Sequence, residues 1–222
     1  MGRRTLRKLD PALDLSRHLL TWEQLPNPWD VVALFGRSAP LEVEVGSGKG
    51  LFMSAAAAGD PASDFLGIEV ATKYARYAAA RLARRGLANA RLLHGDALRL
   101  FHELLPDGVL RAVHVYFPDP WWKARHRKRR VLNEALVKDV ERTLLPGGTL
   151  HFWTDVEEYY RSSLDLLAAQ TRLAGPFPVQ EKPADHDLDY RTHFERRMRL
   201  HGEAVYRAEF RKEHSAPPAS PD

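Results

Sequence analysis

Four carboxylates lie at or just after the ends of segments that the sequence predicts to be β-strands. They are Glu44, Glu69, Asp96 and Asp119. Because the carboxyl ends of parallel strands meet at one edge of a sheet, we expect these side chains to lie along that edge, where open α/β sheets bind ligands. Carboxylates there can accept from a ribose diol or an adenine amine, and they suit a ligand that carries an ammonium and a sulfonium. The alternative is that each acid is a separate helix cap or surface group.

A glycine-rich turn follows the first predicted strand, in the order Glu44-Val45-Gly46-Ser47-Gly48-Lys49-Gly50. Glycines between a strand and a helix let the backbone pass close to a ligand near the helix N-terminus. The third glycine comes one residue earlier than in the dinucleotide fingerprint. The acids nearby would also suit a pyrophosphate poorly. A plain tight turn explains the glycines alone equally well.

The stretch 113–130, VHVYFPDPWWKARHRKRR, joins an apolar strand to a rigid Pro118-Asp119-Pro120 corner and then to a basic run. Six basic residues fall within eight positions: Lys123, Arg125, Arg127, Lys128, Arg129 and Arg130. A basic run beside aromatic rings is typical of proteins that bind nucleic acid. One of Trp121 and Trp122 is expected beneath the corner and one could stack on a base; packing of both in the core is the favoured single outcome.

Strand-like and helix-like segments alternate, which predicts an α/β fold with a mostly parallel sheet flanked by helices in a single domain. Strands are expected at 41–45, 64–69, 91–94, 113–117, 149–153 and, closing one edge, 203–210; helices are expected at 50–59, 71–85, 132–145 and 156–173. The segment 175–183 is expected to be a loop. We expect an N-terminal arm over 1–40, the main domain over 41–212 and a disordered tail over 213–222.

Composition narrows the classes of protein. The chain has 222 residues, 44% of them hydrophobic, a formal net charge of +4 and no cysteine, which excludes disulfides, thiolate zinc sites and thiol nucleophiles. No apolar run approaches the ~18 residues of a membrane span, and no signal peptide is evident. We therefore expect a cytoplasmic protein with no membrane association. The histidines have no metal-ligand spacing, so no metal is expected.

The chain resembles the bacterial tRNA (guanine-N7-)-methyltransferases over about residues 40–212. The resemblance rests on LEVEVGSGKG, DFLGIEV, HGDA, YFPDPWWKARHRKRR, FWTD and THFERR. It implies a Rossmann-like, seven-stranded class I methyltransferase fold with S-adenosylmethionine as cofactor. It also implies methylation of N7 of the variable-loop guanine, position 46, of a tRNA partner. A monomer and a homodimer are both compatible with it.

The same resemblance implies roles for individual residues. Asp119 is the expected catalytic residue, and the expected cofactor-binding residues are Glu44, Gly46, Gly48, Glu69, Asp96 and Asp119. The expected substrate-binding residues are Lys123, Asp155, Thr192, His193, Phe194 and Glu195. The expected RNA-binding loop consists of Arg125, His126, Arg127, Lys128, Arg129 and Arg130. Asp155 could instead cap the helix that follows it. Trp122 departs from the pattern, since relatives often have Pro or His there.

Three other functions are weighed against this one. A methyltransferase for an exocyclic amine of a nucleic acid would place its acid or amide before two prolines, whereas Asp119 lies between them. A small-molecule dehydrogenase would need the dinucleotide spacing and would not explain the basic run. A non-catalytic RNA-binding protein would explain the basic run but not four acids at strand ends.

Overall fold

Eight β-strands form one sheet in a computed structural model that describes residue 6, residues 8–181, residue 183 and residues 190–214. The central strands are nearly continuous apolar runs because helices cover both of their faces. Val43, Leu66, Leu92 and Val113 are fully buried on four of them. The strands are β1 (Leu19–Leu20), β2 (Leu41–Val45), β3 (Asp64–Glu69), β4 (Ala90–His94), β5 (Leu110–Tyr116), β6 (Leu144–Thr154), β7 (Ala174–Pro178) and β8 (Tyr206–Arg211).

The strand order is β1-β4-β3-β2-β5-β6-β8-β7. Strands β1 to β6 pair in parallel, whereas β8 runs antiparallel to both β6 and β7. The order reverses at β2, which pairs with β3 on one side and with β5 on the other. Such a switch point opens a crevice at the carboxyl ends of the strands, where ligands bind in open α/β sheets.

Seven α-helices connect the strands: α1 (Val31–Phe35), α2 (Leu51–Gly59), α3 (Thr72–Arg84), α4 (Ala97–Glu103), α5 (Glu134–Thr143), α6 (Glu157–Gln170) and α7 (His193–Leu200), counted over the described residues. Helices α2 and α3 pack closely because Gly50 has no side chain. A Cβ atom at Gly50 would lie 2.7 Å from Cβ of Ala78. The start of α2 is therefore fixed against α3, directly after the glycine turn. None of the helices in the described part of the chain has the length and apolar character that a membrane crossing requires.

The structure confirms the α/β class and the parallel sheet but changes the sheet edges. Strand β8 does not close an edge; it lies between β6 and β7. The expected loop at 175–183 includes most of β7, which pairs with β8 through Ala174 with Arg211 and Phe177 with Glu209. Prolines are tolerated in β7 because an edge strand pairs on one side only. Helices α1, α4 and α7 are not among the predicted helices.

The sheet also extends into the segment expected to be an arm. Leu19 and Leu20 form β1, which pairs with β4, and Leu20 and Leu25 are buried in the core. The sheet therefore has eight strands rather than seven. The boundary at residue 40 stays a prediction, and the basic residues Arg3, Arg4 and Arg7 and the tail from 215 onwards lie outside the described residues.

Candidate functional site

The four carboxylates lie along one edge of the sheet, as the strand pattern predicts. Strands β4, β3, β2 and β5 are successive neighbours. Glu44 is the penultimate residue of β2 and Glu69 the last residue of β3, while Asp96 and Asp119 follow β4 and β5. All four thus lie at the carboxyl ends of adjacent parallel strands, around the switch point. We call this row of four carboxylates the acidic edge.

Glu69 holds the glycine turn in place. The backbone N–H of Gly48 donates to Oε2 of Glu69 at 2.8 Å, and that of Ala71 donates to Oε1 at 2.8 Å. Gly48 adopts a φ of 51°, a left-handed conformation that glycine reaches without strain. A carboxylate has about four acceptor positions. Two are used by these amides, so Glu69 retains capacity for two further donors, as a ribose diol would require.

Glu44 is the most unusual of the four acids. Its side chain is 3% exposed, and its Oε2 atom has no hydrogen-bond partner among the described residues. Burial raises the pKa of Glu44 to about 8; the hydrogen bond with Ser47 opposes this shift, and the charge of Glu69 adds to it. An unpartnered buried carboxylate oxygen is costly unless a ligand satisfies it. This atom therefore fits the ammonium group of an amino-acid ligand such as S-adenosylmethionine.

Asp96 acts as a helix cap and remains exposed. Its Oδ1 atom accepts from the backbone N–H of Leu98 at 2.8 Å at the start of α4. Asp96 is therefore a helix cap, and because it is exposed it remains accessible at the acidic edge.

The corner that carries Asp119 has a strained backbone on both sides. Phe117 and Trp121 have φ values of 49° and 47°, a region that bulky residues rarely occupy. Such conformations cost on the order of 1–3 kcal/mol each and persist where surrounding contacts fix them. Phe117 is buried, and its N–H donates to the carbonyl oxygen of Trp153 on β6 at 2.8 Å. Asp119 itself is exposed between its two prolines.

The basic run forms a short 3-10 helix, Ala124–Arg129, beside this corner. The exposed cations are Lys123, Arg125, Arg127, Lys128 and Arg129. His126 is half-buried, with its ring 5.9 Å from that of Trp121 in an edge-on arrangement. The cations of this loop are thus available to solvent close to the exposed carboxylate of the corner.

Arg130 differs from the other cations of the run because it is buried. Its Nε atom donates to the carbonyl oxygen of Pro120 at 2.9 Å, and its NH1 group donates to Oγ of Ser162 at 3.1 Å. It also pairs with Glu158, and its guanidinium lies 4.3 Å from the ring centroid of Tyr159. The hydrogen bond from Arg130 lowers the pKa of Glu158. The expected phosphate contact for Arg130 is therefore corrected: this residue anchors the corner to α6.

The two tryptophans have different environments. Trp121 is half-buried, and the guanidinium of Arg129 lies 5.2 Å from its ring centroid. Trp122 is 69% exposed. The expectation that both would pack in the core is therefore wrong for Trp122.

The segment Thr192–Glu195 begins α7, and two of its side chains bind the backbone. Oγ1 of Thr192 accepts from the N–H of Glu195 at 3.0 Å, and Oε2 of Glu195 accepts from the N–H of Arg191 at 2.7 Å. Glu195 is 3% exposed and also pairs with Arg207 at 3.2 Å. Both side chains therefore have structural partners: Thr192 caps α7, and Glu195 holds the residue that precedes the cap.

His193 and Phe194 point away from that cap. The Nε2 atom of His193 lies 3.2 Å from NH2 of Arg81 on α3. Phe194 stacks on Phe117 with ring centroids 6.0 Å apart, which brings α7 against the corner that carries Asp119. The expected substrate role of this segment stays a prediction.

Asp155 follows β6 and is half-buried, but it does not cap α6. Val156 occupies the N-cap position, and its N–H donates to Oγ1 of Thr154 at 3.2 Å. Thr154 thus takes the local bond that the sequence suggested for Asp155. The carboxylate of Asp155 remains a candidate for substrate binding.

Arg191, which no sequence pattern singles out, lies among three aromatic rings at the switch point. Its guanidinium carbon is 5.4 Å from the ring centroid of Trp153, 5.7 Å from that of Phe52 and 6.0 Å from that of Tyr116. Its NH1 group also donates to the hydroxyl of Tyr116 at 3.3 Å. Phe52 belongs to α2 and Tyr116 ends β5, so Arg191 joins the helix that follows the glycine turn to the strand that precedes Asp119.

Beneath Arg191 runs a chain of buried hydrogen bonds. The Tyr116 hydroxyl lies 2.9 Å from Nδ1 of His114, and Nε2 of His114 lies 2.8 Å from Oε2 of Glu42. Burial alone would raise the pKa of Glu42, but hydrogen bonds from His114 and Arg111 outweigh it and lower that pKa to about 2. The signal in the sequence is the spacing of His114 and Tyr116, which places both on one face of β5.

The described residues contain no cluster of three or more histidine or acidic side chains that could hold a metal ion. Taken together, the candidate site consists of the acidic edge, the glycine turn, the Asp119 corner, the exposed cations and the start of α7.

Comparison with known proteins identifies the family to which this chain is similar. A family model described as putative methyltransferase matches residues 38–208. A tRNA (guanine-N(7)-)-methyltransferase of Rhodopirellula baltica is 50% identical over 218 residues, covering 96% of this chain and 80% of the relative. The enzyme of the same name from Paracidovorax citrulli is 38% identical over 203 residues, covering 90% and 80%.

Solved structures support the fold at lower identity. The 16S rRNA methyltransferase KamB has a TM-score of 0.59 at 17% identity, covering 81% of this chain and 91% of its own. The antibiotic-resistance methyltransferase Kmr has a TM-score of 0.56 at 18% identity, covering 84% and 93%. The strand order, the family model and the identity to curated relatives together lead to one conclusion: this chain belongs to the tRNA (guanine-N(7)-)-methyltransferase family.

Proposed function

We propose that this chain transfers a methyl group from S-adenosylmethionine to N7 of the variable-loop guanine, position 46, of tRNA. The observation that carries the proposal is the placement of Asp119. This exposed carboxylate lies just after β5, beside the strands that carry the other three acids, and the exposed cations follow it in the chain from Lys123 onwards. The corner thus lies where a nucleoside cofactor and an RNA backbone would meet.

The acidic edge and the glycine turn are the proposed cofactor pocket. Glu69 would accept from the ribose diol, and Asp96 from the adenine amine. The unpartnered Oε2 of Glu44 would accept from the ammonium group. A cation beside Glu44 favours its charged form and so lowers its pKa from the raised value of the free protein. Gly46 and Gly48 would let the backbone approach the ligand closely.

The chemistry requires positioning more than proton transfer. S-adenosylmethionine supplies an electrophilic methyl group on a positively charged sulfur. N7 of guanine is a hydrogen-bond acceptor without a proton at neutral pH, so no general base is needed. The protein must align the base for in-line attack and stabilise the positive charge that develops on it. Asp119 suits that work as a fixed anion beside the base.

Substrate binding is proposed for the residues around the corner. Asp155 would accept from the ring N–H and exocyclic amine of guanine. Lys123 and the exposed cations of the 3-10 helix would contact phosphates without reading sequence. Thr192 and Glu195 would act by holding α7, so that Phe194 stays packed against the corner.

A methylation assay tests the proposal directly. Purified protein is incubated with labelled S-adenosylmethionine and unmodified tRNA, and the product is treated with borohydride and aniline, which cleave RNA at 7-methylguanine. We expect label incorporation and a single cut in the variable loop. Asp119→Asn serves as the control and should lower the rate of both by about 100-fold or more.

Two other outcomes would replace this proposal. Label without a cut would move the acceptor to another atom, such as an exocyclic amine. Binding of tRNA without binding of S-adenosylmethionine would indicate a non-catalytic RNA-binding protein.

A further inference from the structure

The aromatic side chains around the catalytic corner are not equally available to RNA. Phe117 is buried. Trp121 has Arg129 over its ring and His126 at its edge. Phe194 is 48% exposed, but it stacks on Phe117 and lies 4.7 Å from the guanidinium of Arg197. These rings are engaged within the protein.

Trp122 is the exception. Its side chain is 69% exposed, and within the described part of the chain no ring or cation packs against the indole. A single exposed apolar side chain is common in proteins and has no meaning by itself. The position of Trp122 indicates a functional role, because Trp122 lies three residues after Asp119 and directly before Lys123.

The backbone holds the two indoles in different environments. Trp121 adopts the strained φ of 47°, and the carbonyl of Pro120 just before it accepts from the buried Arg130. Trp121 therefore packs within the loop, while Trp122 is presented to solvent. The buried Arg130, and not the exposed indole of Trp122, fixes this arrangement. Replacing the indole of Trp122 should therefore leave the loop intact.

We propose that Trp122 is a stacking platform for an unpaired tRNA base next to the methylated guanine, an inference that rests on the proposed function. Bases of RNA that are splayed out of a helix stack on aromatic rings, and stacking needs no particular base. The surrounding cations Lys123, Arg125 and Arg127 favour a polyanion as the occupant. Phosphate contacts supply attraction, whereas the indole sets the register of the strand over Asp119.

The test measures tRNA binding over a series of salt concentrations for the wild type and for Trp122→Ala, Trp122→Tyr and Lys128→Ala. Loss of one stacked base should weaken binding by roughly 5- to 150-fold at every salt concentration. The slope of log affinity against log salt should stay unchanged, because no ionic contact is lost. Trp122→Tyr should restore most of the affinity. Lys128→Ala should instead make the slope shallower by roughly 0.7–0.9.

Steady-state kinetics give a second measurement. Trp122→Ala should raise KM for tRNA by a similar factor and leave KM for S-adenosylmethionine and the melting temperature near wild-type values. The protein has five tryptophans, so Trp122→Phe identifies the one that is quenched. Addition of tRNA should quench fluorescence in the wild type, and Trp122→Phe should lack that quench. This readout holds even if the alanine variant folds poorly.

Several results would overturn the inference. A Trp122→Ala variant that binds tRNA like the wild type, an unchanged quench in Trp122→Phe, or a change of oligomeric state in place of an affinity change would each do so. If the wild type methylates tRNA and these variants behave like it, only the stacking role fails. If the wild type neither binds nor methylates tRNA, both proposals fail.

Discussion

Replacing Arg130 by methionine separates a structural cation from the exposed cations beside it, for which we propose RNA binding. The sequence groups Arg130 with the phosphate-binding run, but the structure buries its side chain against Pro120, Glu158 and Ser162. Methionine keeps the apolar stem and removes the guanidinium. We therefore expect Arg130→Met to destabilise the fold and to leave the number of phosphate contacts unchanged.

The magnitude follows from the exposure of the two partners. The side chain of Arg130 is 8% exposed and that of Glu158 is 45% exposed. Breaking a fully buried pair costs about 3–5 kcal/mol, whereas an exposed pair contributes about 0–1 kcal/mol. With one buried partner, and with loss of the bond to Pro120, we expect a loss of about 2–3 kcal/mol. For a domain of this size that corresponds to a fall in melting temperature of about 5–10 °C.

The assay combines thermal unfolding with the salt dependence of tRNA binding, and Arg129→Met is the matched control. Arg129 is the neighbouring residue and is exposed. We expect Arg129→Met to keep the melting temperature within about 2 °C of the wild type, as for most surface substitutions. Its salt slope should be shallower by about 0.7–0.9, the effect of one phosphate contact.

The opposite pattern would refute the reasoning. If Arg130→Met kept the wild-type melting temperature and made the salt slope shallower, Arg130 would be a phosphate ligand and the anchor to α6 would be dispensable. A fall in melting temperature in Arg129→Met as large as in Arg130→Met would also contradict the distinction.

Three further predictions concern Asp119, Glu44 and the start of α7. Asp119→Asn should lower kcat by about 100-fold or more, because it removes an electrostatic stabiliser, while tRNA affinity stays within about threefold. Lost tRNA affinity with an intact kcat would contradict the proposed role of Asp119. Burial raises the pKa of Glu44 above its unfolded value, to about 8. Between about pH 5 and 8 the folded protein therefore keeps a proton on Glu44 that the unfolded chain has lost. The free energy of unfolding of the wild type consequently falls as pH rises over this range. Glu44→Gln removes this loss, so its melting temperature relative to wild type should climb over that range, and a flat difference would count against the buried carboxyl. Thr192→Ala removes a helix cap and should lower stability by about 1 kcal/mol, with Thr192→Ser restoring it; an unchanged melting temperature with a raised KM would mark Thr192 as a direct substrate contact.

The acidic edge could be predicted from the sequence because it depends on local patterns. Strand periodicity and chain direction are enough to bring Glu44, Glu69, Asp96 and Asp119 to one side of a parallel sheet. The same holds for the glycine turn, since a strand, three glycines and a helix are adjacent along the chain. The central strands and the four expected helices were therefore found within a few residues of their bounds.

The remaining features depend on contacts between distant segments. Arg130 looks like its neighbours in the sequence, and only Glu158, 28 positions later, makes it an anchor. Trp121 and Trp122 differ through a backbone conformation that the residue types do not reveal. Strand β7 contains two prolines and was expected to be a loop, because its partner strand lies 28 or more residues further on.

The position of β8 has a consequence for the order in which the molecule assembles. Strand β7 is made before β8, but among the described residues it pairs with β8 alone, so it has no partner in the sheet until residues 206–211 have left the ribosome. Helix α7 lies between these strands in the chain, and its Glu195 pairs with Arg207 of β8. The acidic edge, built from β2 to β5, needs neither. A nascent chain therefore completes the strands that carry the four acids first, and it adds β7 and the contact between Glu195 and Arg207 only when β8 is inserted.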